Sequence, residues 1–293
     1  LIHERVIAVL KKRLPLGVVL SSAWLLSLLF FAVFGPILPI PDTLYSFEDS
    51  LSVGVFSPGH ILGTDSNGYD MFAQLVEGSR YSLLIAGISV GLGSLIGSVI
   101  GILGAFKRGI FDRIANALFS VVLSIPNLLL SITLIAVFGT SPDPSNPVPP
   151  SRRLIVVIAS LSIVIIPIIG RIARSTALSW SSRDFVTAAR SMGMTDRQII
   201  IKHIVPNVMP ALLAIAFLAI GVVIVAEGSL SLLGAGIGEK TTWGSMIARG
   251  RAEIEYYPHI LFVPIIAVAL TVIACNRLGD QVRRSLDPRE ARL

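Results

Sequence analysis

The sequence predicts an all-α membrane protein with six transmembrane helices and both termini cytoplasmic. Three observations carry this. Of the 293 residues, 53% are hydrophobic and only 14% charged, with a mean hydropathy of +0.80. A soluble domain of this length has about a quarter of its residues charged, and a single soluble core stops growing near this size. The apolar residues gather into six segments close to the roughly 20 residues needed to cross a bilayer: Leu14–Phe34, Tyr81–Phe106, Ile114–Phe138, Leu154–Gly170, Val208–Leu233 and Pro258–Cys275. Most of the 24 Lys and Arg residues fall in connections on one side of that arrangement, which the positive-inside bias makes the cytoplasm.

Residues 1–13 are a basic cytoplasmic segment with Arg5, Lys11, Lys12 and Arg13. The first span, 14–34, is longer than the apolar stretch of a secretory signal. It runs into Gly-Pro-Ile-Leu-Pro instead of a small-x-small cleavage site, so it reads as a retained helix. Residues 35–80 follow outside the membrane, rich in Pro, Gly, Ser and Asp, and too few and too polar for a large independent domain.

Residues 81–276 form a five-helix core. In its first helix Gly87 and Gly91 are four apart, as are Gly93, Gly97 and Gly101, with Ser89, Ser94 and Ser98 interleaved. Such positions let another backbone approach closely, which drives helix association in lipid. The stripe serves either packing within the chain or contact with a partner subunit. Lys107, Arg108 and Arg113 mark a short cytoplasmic connection. Pro126, Pro167 and Pro264 fall inside spans, where neighbouring groups satisfy the freed carbonyls. Glu227 lies within AEGSLSLLGAG of the fifth span, and an ionisable group at depth is a functional candidate. It is also only about a turn and a half from the outer end, where local pairing is an equal reading; in either case it is expected to point away from lipid. Residues 277–293 are a cytoplasmic tail carrying Arg277, Arg283, Arg284, Arg289 and Arg292. The net charge of +6 is thus topology charge and does not point to nucleic acid.

Catalytic and metal-binding patterns are missing from the sequence. GAGIGEKTT (234–242) resembles a phosphate loop, but Glu239 separates Gly238 from Lys240, whereas that loop needs Gly directly before Lys. His3, His60, His203 and His259 are scattered, and the single Cys275 offers neither a disulfide nor a Cys-based metal site. Glu253 and Glu255 sit in an outer loop without apolar enclosure.

The cytoplasmic loop 171–206 is the informative segment. Asp184 to Met192 is compatible with a short helix that Gly193 can stop in a left-handed conformation. Thr195 opens T-D-R-Q, a capping box in which Gln198 reaches back, and the second helix carries Ile199, Ile200 and Ile201 and ends by Pro206. A flexible loop needs neither device. This segment reads as rigid and fit to transmit force from a soluble partner to the spans.

These residues resemble the cytoplasmic signature of the integral membrane permeases of ATP-binding-cassette importers: an Ala-Ala pair, a Gly four residues on, and a Pro thirteen after the Gly. Ala188, Ala189, Gly193 and Pro206 match, while Thr187 stands where an acidic residue often leads and His203 where a hydrophobic one is expected. HILGTDSNGYDMFAQLVEGSRYSL (60–83) is similar to the HPLGTDxxGRD…GxRxSL segment of the dipeptide, oligopeptide and nickel subfamily, C-type subunit, with Tyr69 in place of Arg. LSLLGAG (230–236), WGSM (243–246) and NRLGDQVRRSLDPR (276–289) are further similar pieces.

The resemblance implies a type I importer permease fold in a prokaryotic cell membrane. It also implies a heterodimer with a homologous permease, two ATPase subunits that carry ATP and Mg, and an extracytoplasmic substrate-binding protein. The chain itself would bind no cofactor and catalyse nothing. ATPase contact would fall on Thr187, Ala188, Ala189, Arg190, Met192, Gly193, Met194, Thr195 and Asp196, with Pro206 closing the segment. Peptides are the expected cargo. Chelated nickel is an alternative within the subfamily. An ion-coupled secondary transporter is the alternative from another class, with Glu227 as its one candidate at depth.

Overall fold

The computed structural model describes residues 15–40, 46–47, 50–141, 145, 148–238 and 240–286. Arg5, Lys11, Lys12, Arg13, Glu239, Arg289 and Arg292 lie outside the described residues. The described residues are almost all helical, with isolated bridges such as Ser46↔Tyr69 and Thr64↔Asp70 and no strands.

Helix α1, Leu16–Phe34, is apolar on all sides and largely uncovered, as suits a helix facing lipid. Helix α2, Met71–Lys107, begins ten residues before the apolar run because Asp70 caps it, its Oδ1 accepting from the Ala73 amide at 2.9 Å. It stops where Arg108 and Gly109 both take positive φ. Its 37 residues extend about 55 Å, well past a hydrocarbon core of about 30 Å.

The expected third span, Ile114–Phe138, is not one helix. Helix α3, Gly109–Ser124, and helix α4, Asn127–Phe138, meet at an 88° bend. Pro126 causes it: proline drives the preceding residue out of the helical region, and Ile125 is extended at φ −90°, ψ 129°. Pro167 and Pro264, by contrast, stay inside helices.

Helix α5, Pro150–Ser181, exceeds its apolar run at both ends. Helices α6, Asp184–Ser191, and α7, Asp196–Ile199, follow. The second of these does not end by Pro206. A π turn over Ile200–Ile204, with the Val205 amide donating to the Ile200 carbonyl, joins α7 to helix α8, Val205–Leu232. The wider turn accommodates the ring of Pro206, which has no amide hydrogen to donate into the preceding turn. Helix α9, Trp243–Gly250, is short, and helix α10, Pro258–Leu286, carries the last span and the start of the tail. Five helices are long and apolar enough to cross a membrane, and the bent pair α3–α4 brings the number to six.

The bundle is organised on the α2–α5 pair. A Cβ on Gly97 would lie 2.5 Å from the Ile166 carbonyl oxygen, and one on Gly101 would lie 2.2 Å from that of Gly170. Gly93 abuts Ile165, and the Ser89 hydroxyl donates to the Ile158 carbonyl at 3.2 Å. Gly87 and Gly91 lie on the uncovered side of α2 with open space around them. On the far side of α5, Arg174 grips Asp112 of α3 through Nε and Nη2 at 2.5 and 2.6 Å. Helix α1 packs against α2 and α10, where the Trp24 indole donates to Thr271 at 3.0 Å.

Candidate functional site

The two ends of the bundle differ in chemistry. One end carries α6, α7 and the tail of α10; the other carries residues 50–70, α9 and the C-terminal end of α8.

At the first end, α6 is amphipathic because Val186 and Ala189 are buried while Thr187, Ala188 and Arg190 are exposed. The Gly193 amide donates to the Arg190 carbonyl at 2.9 Å and the Met194 amide to the Ala189 carbonyl at 3.1 Å. That pair is a Schellman stop, and Gly193 occupies its left-handed position at φ +82°. Thr195 and Gln198 form both bonds of the capping box. Arg190 reaches across the turn to Asp196 at 3.7 Å and lies over the Phe106 ring at 5.2 Å, linking the turn to the end of α2. Met194 packs inward on the core, whereas Met192, at 76% exposure, projects from the tip beside Gly193. Pro206, also exposed, lies in the first turn of α8. The structure therefore gathers Thr187, Ala188, Arg190, Met192, Gly193, Thr195 and Asp196 on an exposed, stiff hairpin of helices, with Ala189 as its inner anchor.

At the opposite end Glu227 is buried, 1% exposed, and points into the protein. Its Oε1 accepts from the Ser231 hydroxyl at 2.8 Å and from the Thr242 hydroxyl at 2.9 Å. Its Oε2 has no hydrogen-bond partner among the described residues. Thr242 also caps α9 through the Ser245 amide at 3.0 Å, so one hydroxyl ties α9 to α8. The backbones meet where Gly244 faces Gly228; a Cβ on Gly244 would lie 2.6 Å from the Gly228 Cα. Thr242→Val removes the cap and one donor to a buried carboxyl, so stability is expected to fall by about 1–3 kcal/mol. Thermal unfolding in detergent measures this; an unchanged midpoint would show that the contact carries no stability.

A second cluster at this end is built mainly from the 60–83 segment. Asp65 Oδ1 accepts from the amides of Asn67 and Tyr69, and its Oδ2 accepts from Gln74 Nε2 at 2.8 Å. Gln74 Oε1 in turn accepts from Arg249 Nη2 at 2.5 Å. Burial lowers the pKa of Arg249 from its ordinary value, while the charges of Asp65, Glu77 and Tyr69 oppose that shift. The Asp70 carboxylate pairs with His60 Nδ1 at 2.8 Å, and His259 Nε2 contacts the Thr64 carbonyl at 3.1 Å. GTDSNGYD thus folds into a polar knot that fastens α2, α9 and α10 together. Its sequence signal was present in the acids and glycines, but the partner Arg249 is remote in the chain. Among the described residues no group of His, Cys, Asp and Glu is arranged to hold a metal ion.

Comparison with known proteins gives a consistent set of likenesses. Residues 93–292 match the family model described as binding-protein-dependent transport system inner membrane component. The chain is 32% identical over 266 residues to the glutathione transport system permease protein GsiD of Pectobacterium atrosepticum, covering 90% of this chain and 83% of that one. It is 32% identical over 271 residues to GsiD of Escherichia coli, covering 92% and 85%. Among solved structures, a chain of the MetNI methionine ABC transporter in an inward-facing conformation aligns with a TM-score of 0.59. It is 22% identical and covers 74% of this chain and 98% of that one, a likeness of fold.

Proposed function

From the premise that the chain belongs to the family of binding-protein-dependent transport system inner membrane components, as a permease subunit of an ABC importer in the bacterial inner membrane, we propose that it moves small peptides. In this reading α6 and α7 are the docking element for an ATPase subunit that binds ATP and Mg. The basic end of the bundle is cytoplasmic, a homologous permease supplies the other half of the pathway, and a binding protein delivers cargo to the opposite end. Hydrolysis belongs to the ATPase subunits.

The observation that carries this reading is mechanical. The exposed helix pair is locked by a Schellman stop and a capping box, and it is joined to a span on each side. A force applied to it reaches α5 and α8 without a flexible linker, as a rigid-body switch between two packings requires. Peptide cargo is supported by the relatives whose names specify glutathione, itself a tripeptide.

Met192 supplies the test of the docking face. An exposed apolar side chain at a loop tip beside a rigid turn fits an anchor inserted into a partner's pocket. Met192→Asp is expected to weaken ATPase-subunit binding by about tenfold or more without altering thermal unfolding of the chain. Unchanged binding would remove the turn at Met192 from the interface. ATP-driven uptake of labelled di- and tripeptides into proteoliposomes, with both ATPase subunits and the partner permease present, tests the cargo. Uptake by this chain in the absence of ATPase subunits would overturn the proposal.

A further inference from the structure

At the basic end of the bundle, α5, α8 and α10 part around a cavity of about 290 Å³. Its walls include Ile215 and Leu218 of α8, and Thr176, Asn276, Asp280 and Arg283 also line it. The helix directions order these groups by depth. Leu218 is thirteen residues beyond the start of α8 at Val205, or about 20 Å inward. Asp280 and Arg283 lie in the last two turns of α10, which ends at Leu286, so they stand nearest the surface. The cavity grades from apolar along its inward wall, where Leu218 is 48% exposed, to ionic at its mouth.

None of Thr176, Asn276, Asp280 and Arg283 makes a side-chain hydrogen bond or ion pair among the described residues. Asp280 and Arg283 are three apart on one helix, a spacing at which opposite charges can pair, yet they do not. An acid and a base held apart at the mouth of an apolar cavity match a ligand that carries both charges and an apolar end.

We propose that this cavity binds the headgroup of a zwitterionic aminophospholipid. Arg283 takes the phosphate as a charge-assisted donor. Asp280 accepts from the primary ammonium, and Asn276 and Thr176 complete the hydrogen bonds. The acyl chains start along Ile215 and Leu218. A purely anionic headgroup would place like charge against Asp280. A choline headgroup has no N–H to donate to it, so the carboxylate selects an amine.

The test uses the full chain in nanodiscs holding equal amounts of phosphatidylethanolamine, phosphatidylcholine and phosphatidylglycerol. Native mass spectrometry then reads the lipids retained on release. Phosphatidylethanolamine is expected to be retained about tenfold over phosphatidylcholine, the effect of one hydrogen bond to a charged group. Asp280→Asn should erase that preference. Arg283→Gln should lower retention of both lipids by about tenfold, whereas Arg284→Gln, outside the cavity, should match the parent. Leu218→Trp, which crowds the apolar wall, should expel the lipid while leaving both charges in place. All variants are compared at matched thermal unfolding midpoints, and any that unfolds early is replaced by Asp280→Glu and Arg283→Lys, which keep the charges and are expected to retain lipid. Equal retention of the two lipids by the parent chain, a preference unchanged in Asp280→Asn, or selective retention of phosphatidylglycerol would overturn the proposal.

Discussion

Gly193→Val is expected to reduce coupled transport sharply in the assembled importer while leaving the permease folded. The backbone at Gly193 is left-handed, φ +82°, and both Schellman bonds depend on it. A side chain there costs roughly 1–2 kcal/mol, more for a β-branched one. A Cβ at Gly193 meets open space, so the penalty is conformational and is relieved locally, by turning α6 away from α7. The α6–α7 angle would change while the spans kept their packing. A penalty of this size corresponds to about 5- to 30-fold in coupled transport. The measurement is the number of peptides imported per ATP hydrolysed in proteoliposomes: hydrolysis should persist as import falls. Gly193→Asn, which tolerates the left-handed region better than other residues, should retain most of the coupling. A valine variant with normal stoichiometry would show that the turn's geometry is not part of the transmission.

Gly101→Ile is the counterpart in the membrane, and here the loss falls on stability. Its Cβ would lie 2.2 Å from the Gly170 carbonyl oxygen and 3.0 Å from both Ala173 Cβ and the Arg174 amide. Two of these neighbours are backbone atoms of α5, which cannot yield without separating the helices. Separation would also disturb the Arg174–Asp112 fork one turn along. We expect a destabilisation of about 3 kcal/mol or more, seen as a large drop in the unfolding midpoint and poor accumulation in membranes. Gly91→Ala provides the control, since nothing lies within 4 Å of its added carbon. In the isolated chain it should be neutral or slightly stabilising, by the roughly 1 kcal/mol that separates Ala from Gly in a helix. A loss confined to the assembled importer would assign the Gly87–Gly91 face to another subunit.

The number of spans was legible because hydropathy reports burial in lipid, and the bilayer constrains this chain more strongly than any local preference. Helix ends were not legible. The first turns of α2, MFAQLVEGSR, carry Gln74, Glu77 and Arg80 among their apolar residues, so they leave no mark in an apolar window. The break at Pro126 was equally invisible, because proline within a span is often tolerated. Burial makes the difference: Pro167 and Pro264 are packed by neighbours that hold their helices together, whereas Pro126 and the residues around it are exposed and nothing resists the bend. Local signals fared best. The stop at Gly193 and the box at Thr195–Gln198 are encoded within a few residues, and the structure has both. Their use as an ATPase contact is a proposal that rests on partners. The ties of Glu227 to Thr242 and of Gln74 to Arg249 were illegible because they join residues from different elements.

The π turn at Ile200–Ile204 has a mechanical consequence. Asp196 to Leu232 is a single helical rod of 37 residues, about 55 Å long. Its wide turn sits close to the end that carries the exposed hairpin. Because the wide turn keeps the rod continuous past Pro206, small tilts at the base become large sweeps at the tip. A tilt of about 10° displaces the far end by roughly 10 Å. That far end holds Glu227 and Ser231, to which Thr242 and the whole of α9 are fastened. The same hydroxyl that steadies α9 at rest would drag it along when the lever swings.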